Sequence, residues 1–321
     1  MSLIHTQALH IGYSDSRVLQ SDLNLAVRPG EIVSLMGQNG VGKTTFLKTI
    51  HGLLPPVSGA IWLGDKPLQK LSRLEIAQQC ALVLTEKPPG LHLSVMELIA
   101  MGRHPYSNWL GLLSTADKQA IEKAISQTRI EYIAEKKLGE LSDGQLQKVM
   151  IARALAQETD LIILDEPVAH LDLNNKIEVM FLLREIADQG VGILISTHDI
   201  QVTTQLSDQL WLFGFSGSAQ TGLPEDLILN GQFEKILYLQ HHRYDLIHHR
   251  IRQSTAGPVI QLEGEEAITY WTEQALKRAG FQVGQSEVLV NCDAGKWQVG
   301  EEERSSLDSL IAYLKTRSTT H

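Results

Sequence analysis

The sequence predicts an α/β fold with a mixed sheet core, a helical insertion and a small C-terminal α+β unit. Three observations carry this. The apolar runs Glu31–Met36, Leu161–Leu164 and Val191–Ser196 lead into glycine or polar clusters, as strands buried on both faces of a parallel sheet do. From about residue 88 to 156 the pattern turns helical, with no clear strand. After about Tyr238 short strand-like and helical stretches alternate. A chain of 321 residues, 43% hydrophobic and 20% charged, has room for one large domain and a small second one.

In chain order, Leu23–Val27 alternates and Pro29-Gly30 turns, so the first sixty residues read as short strands. Glu31–Met36 ends on Gly37, and Lys43–His51 reads as a helix stopped by Gly52 and Pro55-Pro56. Leu161–Leu164 and Val191–Ser196 flank an amphipathic helix around Lys176–Gln189, a βαβ unit. His241-His242-Arg243 reads as a junction. Beyond it come strand-like Val259–Leu262, a helix over Glu265–Ala279, strand-like Val288–Val290 and a last helix near Ser305–Lys315. The expected division is a domain over 1–238, with its helical subdomain at about 88–156, and a second domain over 239–321 that carries no chemistry of its own.

A net charge of −9 and a pI near 5.7 give no electrostatic attraction to nucleic acid or to an anionic lipid surface. No apolar run approaches the roughly 18–20 residues that cross a bilayer, and Met1-Ser-Leu-Ile-His5 lacks the basic and apolar stretches of a signal peptide. Cys80 and Cys292 stand far apart, without zinc or redox spacing, and are expected as reduced, packed thiols. The expected place is the cytoplasm.

The chemistry lies in an ordered set of motifs. Gly37-Gln38-Asn39-Gly40-Val41-Gly42-Lys43-Thr44-Thr45 sits between a strand and a helix, the setting a phosphate-binding loop needs. Its glycines let backbone N–H groups turn toward phosphate oxygens, and the helix presents its positive end. Lys43 would neutralise the β- and γ-phosphates, and the Thr44 hydroxyl would ligate Mg2+. Asp165, at the end of a buried strand, is placed to hold the metal; Glu166 beside it is a candidate general base for water. His198 ends the neighbouring strand in Ser196-Thr197-His198-Asp199, where an imidazole can contact a γ-phosphate.

Leu141-Ser142-Asp143-Gly144-Gln145 narrows this further. It opens a helix over Gln145–Gln157, a second helix N-terminus aimed at an anion. The chain's own phosphate loop already has a helix, so the economical reading is a lid for the γ-phosphate held by a second copy, in a twofold arrangement with two shared sites.

With these motifs in this order, residues 1 to about 235 resemble the ATP-binding subunits of ABC transporters. The finer likeness is to subunits that energise bacterial uptake of ferric siderophores, haem and vitamin B12, through Leu98-Ile-Ala-Met-Gly102-Arg103-His-Pro105-Tyr106 and Trp109-Leu-Gly111. The resemblance implies an ATPase working with Mg2+, as a pair, on the inner face of a membrane. Its implied partners are polytopic permease subunits and, indirectly, a substrate-binding protein, with no nucleic acid. It also implies roles by position. Tyr13 would stack on adenine; Ser142, Gly144 and Gln145 would reach the partner's nucleotide; Leu171-Asp172 would touch the opposite subunit. Glu86 stands where the family has a metal-contacting glutamine, and Asp143 and Lys148 replace a more usual glycine and arginine.

Met96, Leu98, Ile99, Met101, Pro105, Tyr106 and Trp109 form either a groove for a helix of a membrane partner or plain core. The pairs His241-His242 and His248-His249 invite a metal reading, but adjacent histidines on a strand face opposite ways and no other ligand cluster completes a shell. The competing functions are a soluble clamp ATPase of the same type and an exporter or lipid-transport ATPase. The acidic charge and the absence of long heptad arms oppose the first; the Gly102–Gly111 likeness opposes the second.

Overall fold

The computed structural model describes residues 1–14, 17–85, 90–107, 112–236, 244–245, 250–251, 257–293 and 295–318. The chain forms two compact units, Met1–Gln240 and His241–His321.

The first unit opens with β1 (Ile4–Ser14), β2 (Arg17–Leu23), β3 (Ala26–Val27) and β4 (Ile32–Gly37), then α1 (Lys43–Ile50), β5 (Ser58–Leu63), β6 (Lys66–Pro67), α2 (Arg73–Ala77) and β7 (Cys80–Val83). A helical stretch follows with α3 (Val95–Ala100), α4 (Thr115–Thr128) and α5 (Asp143–Ala156). The chain returns through β8 (Leu161–Asp165), α6 (Leu173–Asp188), β9 (Gly192–Thr197), α7 (Ile200–Leu206), β10 (Gln209–Phe213), β11 (Ala219–Gly222), α8 (Pro224–Leu229) and α9 (Gln232–Ile236).

Two sheets result. The strand order β11-β10-β4-β9-β8-β7 is parallel except for the β10–β11 pair. All residues of β4, β8 and β9 are buried, which is why they read as unbroken apolar runs. The second sheet is antiparallel, β2-β1-β5-β6 with β3 also on β1. The alternating stretch Leu23–Val27 is therefore not one strand: Leu23 closes β2, and Ala26-Val27 pairs separately with Ile4 and His5.

In the helical stretch each helix starts on a serine whose hydroxyl is reciprocated by the residue three positions on: Ser94 with Glu97, Ser114 with Asp117, Ser142 with Gln145. Leu98 and Ile99 are 2% and 0% exposed and belong to the core, together with Val149, Met150, Ile162 and Leu164. Their apolar side faces inward, so they line no groove; Met101 and Tyr106 do reach the surface, and Trp109 lies outside the described residues. Gly102 lies so close to α5 that a Cβ there would sit 2.3 Å from the Arg153 carbonyl oxygen. Next to it, buried Arg103 bonds Asp117 (2.8 Å), Glu158 (2.7 Å) and the Ala156 carbonyl (2.8 Å). Among the described residues no helix is long and apolar enough to cross a membrane.

The second unit contains β12 (Tyr244–Asp245) paired with β13 (Arg250–Ile251), then β14 (Val259–Gly264), α10 (Glu266–Arg278), β15 (Gln282–Val283), β16 (Leu289–Asp293), β17 (Lys296–Val299), β18 (Glu302–Arg304) and α11 (Leu307–Ser318). Its larger sheet runs β15-β14-β16-β17-β18, parallel on both sides of β14 and antiparallel beyond β16. Ile260, Leu276, Phe281, Val290, Cys292, Val299, Leu310 and Leu314 form its core.

Candidate functional site

The loop between β4 and α1 is shaped by glycine. Gly40 and Gly42 have φ of 87° and 105°, left-handed conformations that side chains resist, and a Cβ on Gly37 would meet the Phe213 carbonyl oxygen at 2.5 Å. No acidic residue occupies the first turn of α1, so its positive end is uncompensated. Lys43, 7% exposed, donates to the Gly37 carbonyl at 2.8 Å and to that of Gln38 at 3.4 Å. Burial lowers its pKa from the ordinary lysine value, opposed by the nearby carboxylates of Glu166 and Asp165.

Asp165 ends β8, in register with Ser196 of β9. Its Oδ2 accepts from the Thr44 hydroxyl at 2.9 Å, its Oδ1 from the buried Ser196 hydroxyl, and its carbonyl from Thr85 Oγ1 at 2.9 Å. An octahedral Mg2+ with oxygens at about 2.1 Å sets neighbouring ligand atoms roughly 2.9 Å apart. The Thr44 and Asp165 oxygens thus fit two adjacent corners of such a shell, and both are hard donors of the kind it takes.

Glu166 follows in a left-handed conformation, φ 52°, with its N–H donating to the Ser196 carbonyl at 3.0 Å and directed at Ser196 Oγ at 3.1 Å. This turns its side chain away from Asp165 toward His198, whose Nδ1 lies 2.6 Å from Glu166 Oε2. The carboxylate is largely enclosed, and the imidazole, 66% exposed, faces outward.

Ser142 caps α5. Its Oγ accepts from Gln145 N at 3.3 Å, and Gln145 Oε1 accepts from Ser142 N at 3.1 Å. The hydroxyl is the acceptor in this bond, so its own hydrogen remains to donate to an anion beyond the helix. Gly144 rests against Asn175 of α6, and Lys148 pairs with Glu178 one turn along each helix. A cleft of about 220 Å3 opens beside this turn, lined in part by Thr85, Asp143, Gln147, Glu166 and His170.

Tyr13 projects from β1, 65% exposed, with the Arg17 guanidinium 5.0 Å from its ring centroid. The structure thus brings Lys43, Thr44, Asp165, Glu166 and His198 together, and sets Tyr13 and the Ser142 turn on other elements. Glu86 and the histidines at 241, 242, 248 and 249 lie outside the described residues.

Sequence reasoning missed four residues. Ser196 and Thr85 hold Asp165, and buried Gln20 donates to the carbonyls of Val41 (3.0 Å) and Gly214 (2.8 Å), bracing the phosphate loop from below. Asn175 is the fourth. Only Ser196 gave a signal, as the hydroxyl two places before His198.

A family model described as ABC transporter matches residues 20–169, and one described as Iron ABC transporter C-terminal domain matches residues 256–315. An ABC transporter ATP-binding protein of Methanocaldococcus jannaschii is 38% identical over 70% of this chain and 78% of its own length. The iron(3+)-hydroxamate import ATP-binding protein FhuC of Bacillus subtilis is 39% identical over 64% of this chain and 77% of its own. Among solved structures, cbiO1 of Clostridium perfringens, part of the ABC transporter complex cbiONQ, superposes with a TM-score of 0.63 at 28% identity, over 75% of this chain and 96% of that one.

Proposed function

The chain belongs to the ATP-binding subunits of ABC transporters and is an ATPase, and from that premise we propose that two copies of it drive import of a ferric chelate through a separate membrane permease. The observation that carries the catalytic part is the contact between Thr44 and Asp165, with Glu166 and His198 alongside at the ends of neighbouring parallel strands. Lys43 and the loop N–H groups bind the β- and γ-phosphates, Gly37 to Thr45 enclosing them, and Thr44 and Asp165 hold Mg2+. Mg2+ supplies charge neutralisation on the phosphates when bound. Glu166 takes a proton from the attacking water, and His198 holds that carboxylate and addresses the γ-phosphate.

Tyr13 stacks on the base. Ser142, Gly144 and Gln145 seal the nucleotide on the other copy, so ATP favours a closed pair and hydrolysis reopens it. The domain over 1–238 is the motor, and that over 239–321 is an accessory to it. The exposed residues Met101 and Tyr106, beside the welded Gly102-Arg103 segment, form part of the surface that meets the permease on its cytoplasmic side. An iron chelate is favoured as cargo by the iron-type match at residues 256–315 and by the relative named for iron(3+)-hydroxamate import.

The test uses cells whose only copy carries Glu166→Gln. Uptake of a radio-iron hydroxamate chelate should stop, and affinity capture of the variant from solubilised membranes should bring down a polytopic protein. Undiminished uptake with an inactive ATPase would refute the assignment to iron import.

A further inference from the structure

Two elements of this chain are expected to face a second copy, the Ser142–Gln145 turn and the Leu171-Asp172 turn, and one side chain joins them. Asn175 lies in the first turn of α6. Its backbone N–H donates to Asp172 Oδ1 at 2.9 Å, and its side-chain Nδ2 donates to Asp172 Oδ2 at 2.8 Å. Both oxygens of the Asp172 carboxylate are thereby engaged by a single residue, which fixes the χ angles of each. The other side of the same amide lies against α5. A Cβ added to Gly144 would stand 2.3 Å from Asn175 Cγ, 2.4 Å from Oδ1 and 2.9 Å from Cβ, so the two residues are already at van der Waals contact. The Lys148–Glu178 ion pair spans the same two helices and limits their sliding.

We propose that Asn175 is a positioning residue that yokes the Ser142 turn to the Asp172 turn of the same subunit, so that both meet a second copy of this chain as one surface. The idea rests on the two-copy reading above. Its physical basis is steric as much as polar. Gly144 has no side chain, so the Asn175 amide packs directly on the α5 backbone at its N-terminus. Loss of the amide removes the bond to Asp172 Oδ2 and the contact with Gly144, leaving Asp172 on its backbone cap alone and the two turns less firmly joined. Binding a second copy must then order both, which weakens association without touching the phosphate loop.

The experiment uses the full chain in the Glu166→Gln background, which is expected to associate under saturating Mg-ATP. Self-association is read by sedimentation velocity, and single-chain nucleotide affinity by a fluorescent ATP analogue at protein concentrations below the association range. Asn175→Ala should weaken ATP-driven association about tenfold, equivalent to about 1.4 kcal/mol, with single-chain affinity unchanged within about twofold. Asn175→Asp, which keeps the shape but sets two carboxylates together, should do the same. With Glu166 intact, Asn175→Ala should move the dependence of specific rate on protein concentration to roughly tenfold higher concentrations, with the rate recovered at high protein concentration. A parent that associates together with an Asn175→Ala variant that associates equally well would overturn the yoke alone. Equal losses in association and single-chain affinity would reduce Asn175 to a structural part and also overturn it. A Glu166→Gln parent that stays monomeric would remove the two-copy reading, and the yoke with it.

Discussion

Nδ1 of His198 lies 2.6 Å from Oε2 of Glu166, across the ends of two adjacent parallel strands. The bond is made possible by the left-handed backbone at Glu166, which points that carboxylate away from Asp165, so that two neighbouring acids face different partners. Removing the base while keeping its shape should separate binding from hydrolysis. Glu166→Gln is expected to lower turnover by at least about 10²-fold and to leave equilibrium ATP binding intact, as measured by phosphate release and by nucleotide titration. His198→Ala should lower turnover in the same assay. If Glu166→Gln turned over normally, another group would have to be the base.

Lys43 is a buried cation, and its replacement should act in opposite directions on affinity and on stability. A lysine with a folded pKa below its unfolded value opposes folding wherever it is charged, and that opposition fades as pH rises past the folded value. Lys43→Met should therefore not lower the melting temperature in the absence of nucleotide at pH 7. ATP binding should weaken by roughly 10- to 100-fold, from the loss of a charge-assisted contact. Thermal melts with and without Mg-ATP read both effects.

The pair Arg103–Asp117 should make the fold sensitive to acid. Hydrogen bonds from Ser114 and Arg103 hold the Asp117 carboxyl at about 2, below its ordinary value of 3.8. A depressed carboxyl pKa stabilises the fold above the unfolded value, and that stability is lost as pH falls from near 3.8 toward 2. Asp117→Asn should be less stable than the parent at pH 7, and the difference should narrow at pH 2. Arg103→Met, which leaves Asp117 buried without its cation, should cost about 3–5 kcal/mol in urea unfolding at pH 7.

The resemblance in sequence implies a glutamine at the position of Glu86. Both side chains offer an oxygen to a cation, so Glu86→Gln should retain ATP binding, read by nucleotide titration. Loss of hydrolysis in a variant that still binds ATP would show that the negative charge itself is used.

What could be read from the sequence follows from burial and from distance along the chain. β4, β8 and β9 were legible because both of their faces are covered and they are apolar throughout. β17 and β18 were not: Lys296, Gln298, Glu302 and Glu303 are exposed, and their polar character reads as loop. The phosphate loop is a local motif and stands out by itself. Gln20 and Asn175 act on residues far away in sequence, and no periodicity announces such contacts. Leu98 and Ile99 had the spacing of a helix face, but spacing does not say which face meets the core.

Strands β7 and β8 lie side by side, Cys80 opposite Leu161 and Val83 opposite Leu164, although the entire helical portion separates them in sequence. That portion leaves the sheet beyond Val83, at one end of the pair, and re-enters it at Leu161, at the other. Its helices share one buried cluster with those strands, Val83, Ile162 and Leu164 among its members, so a long excursion of the chain is held to the sheet by packing and not by ladder bonds.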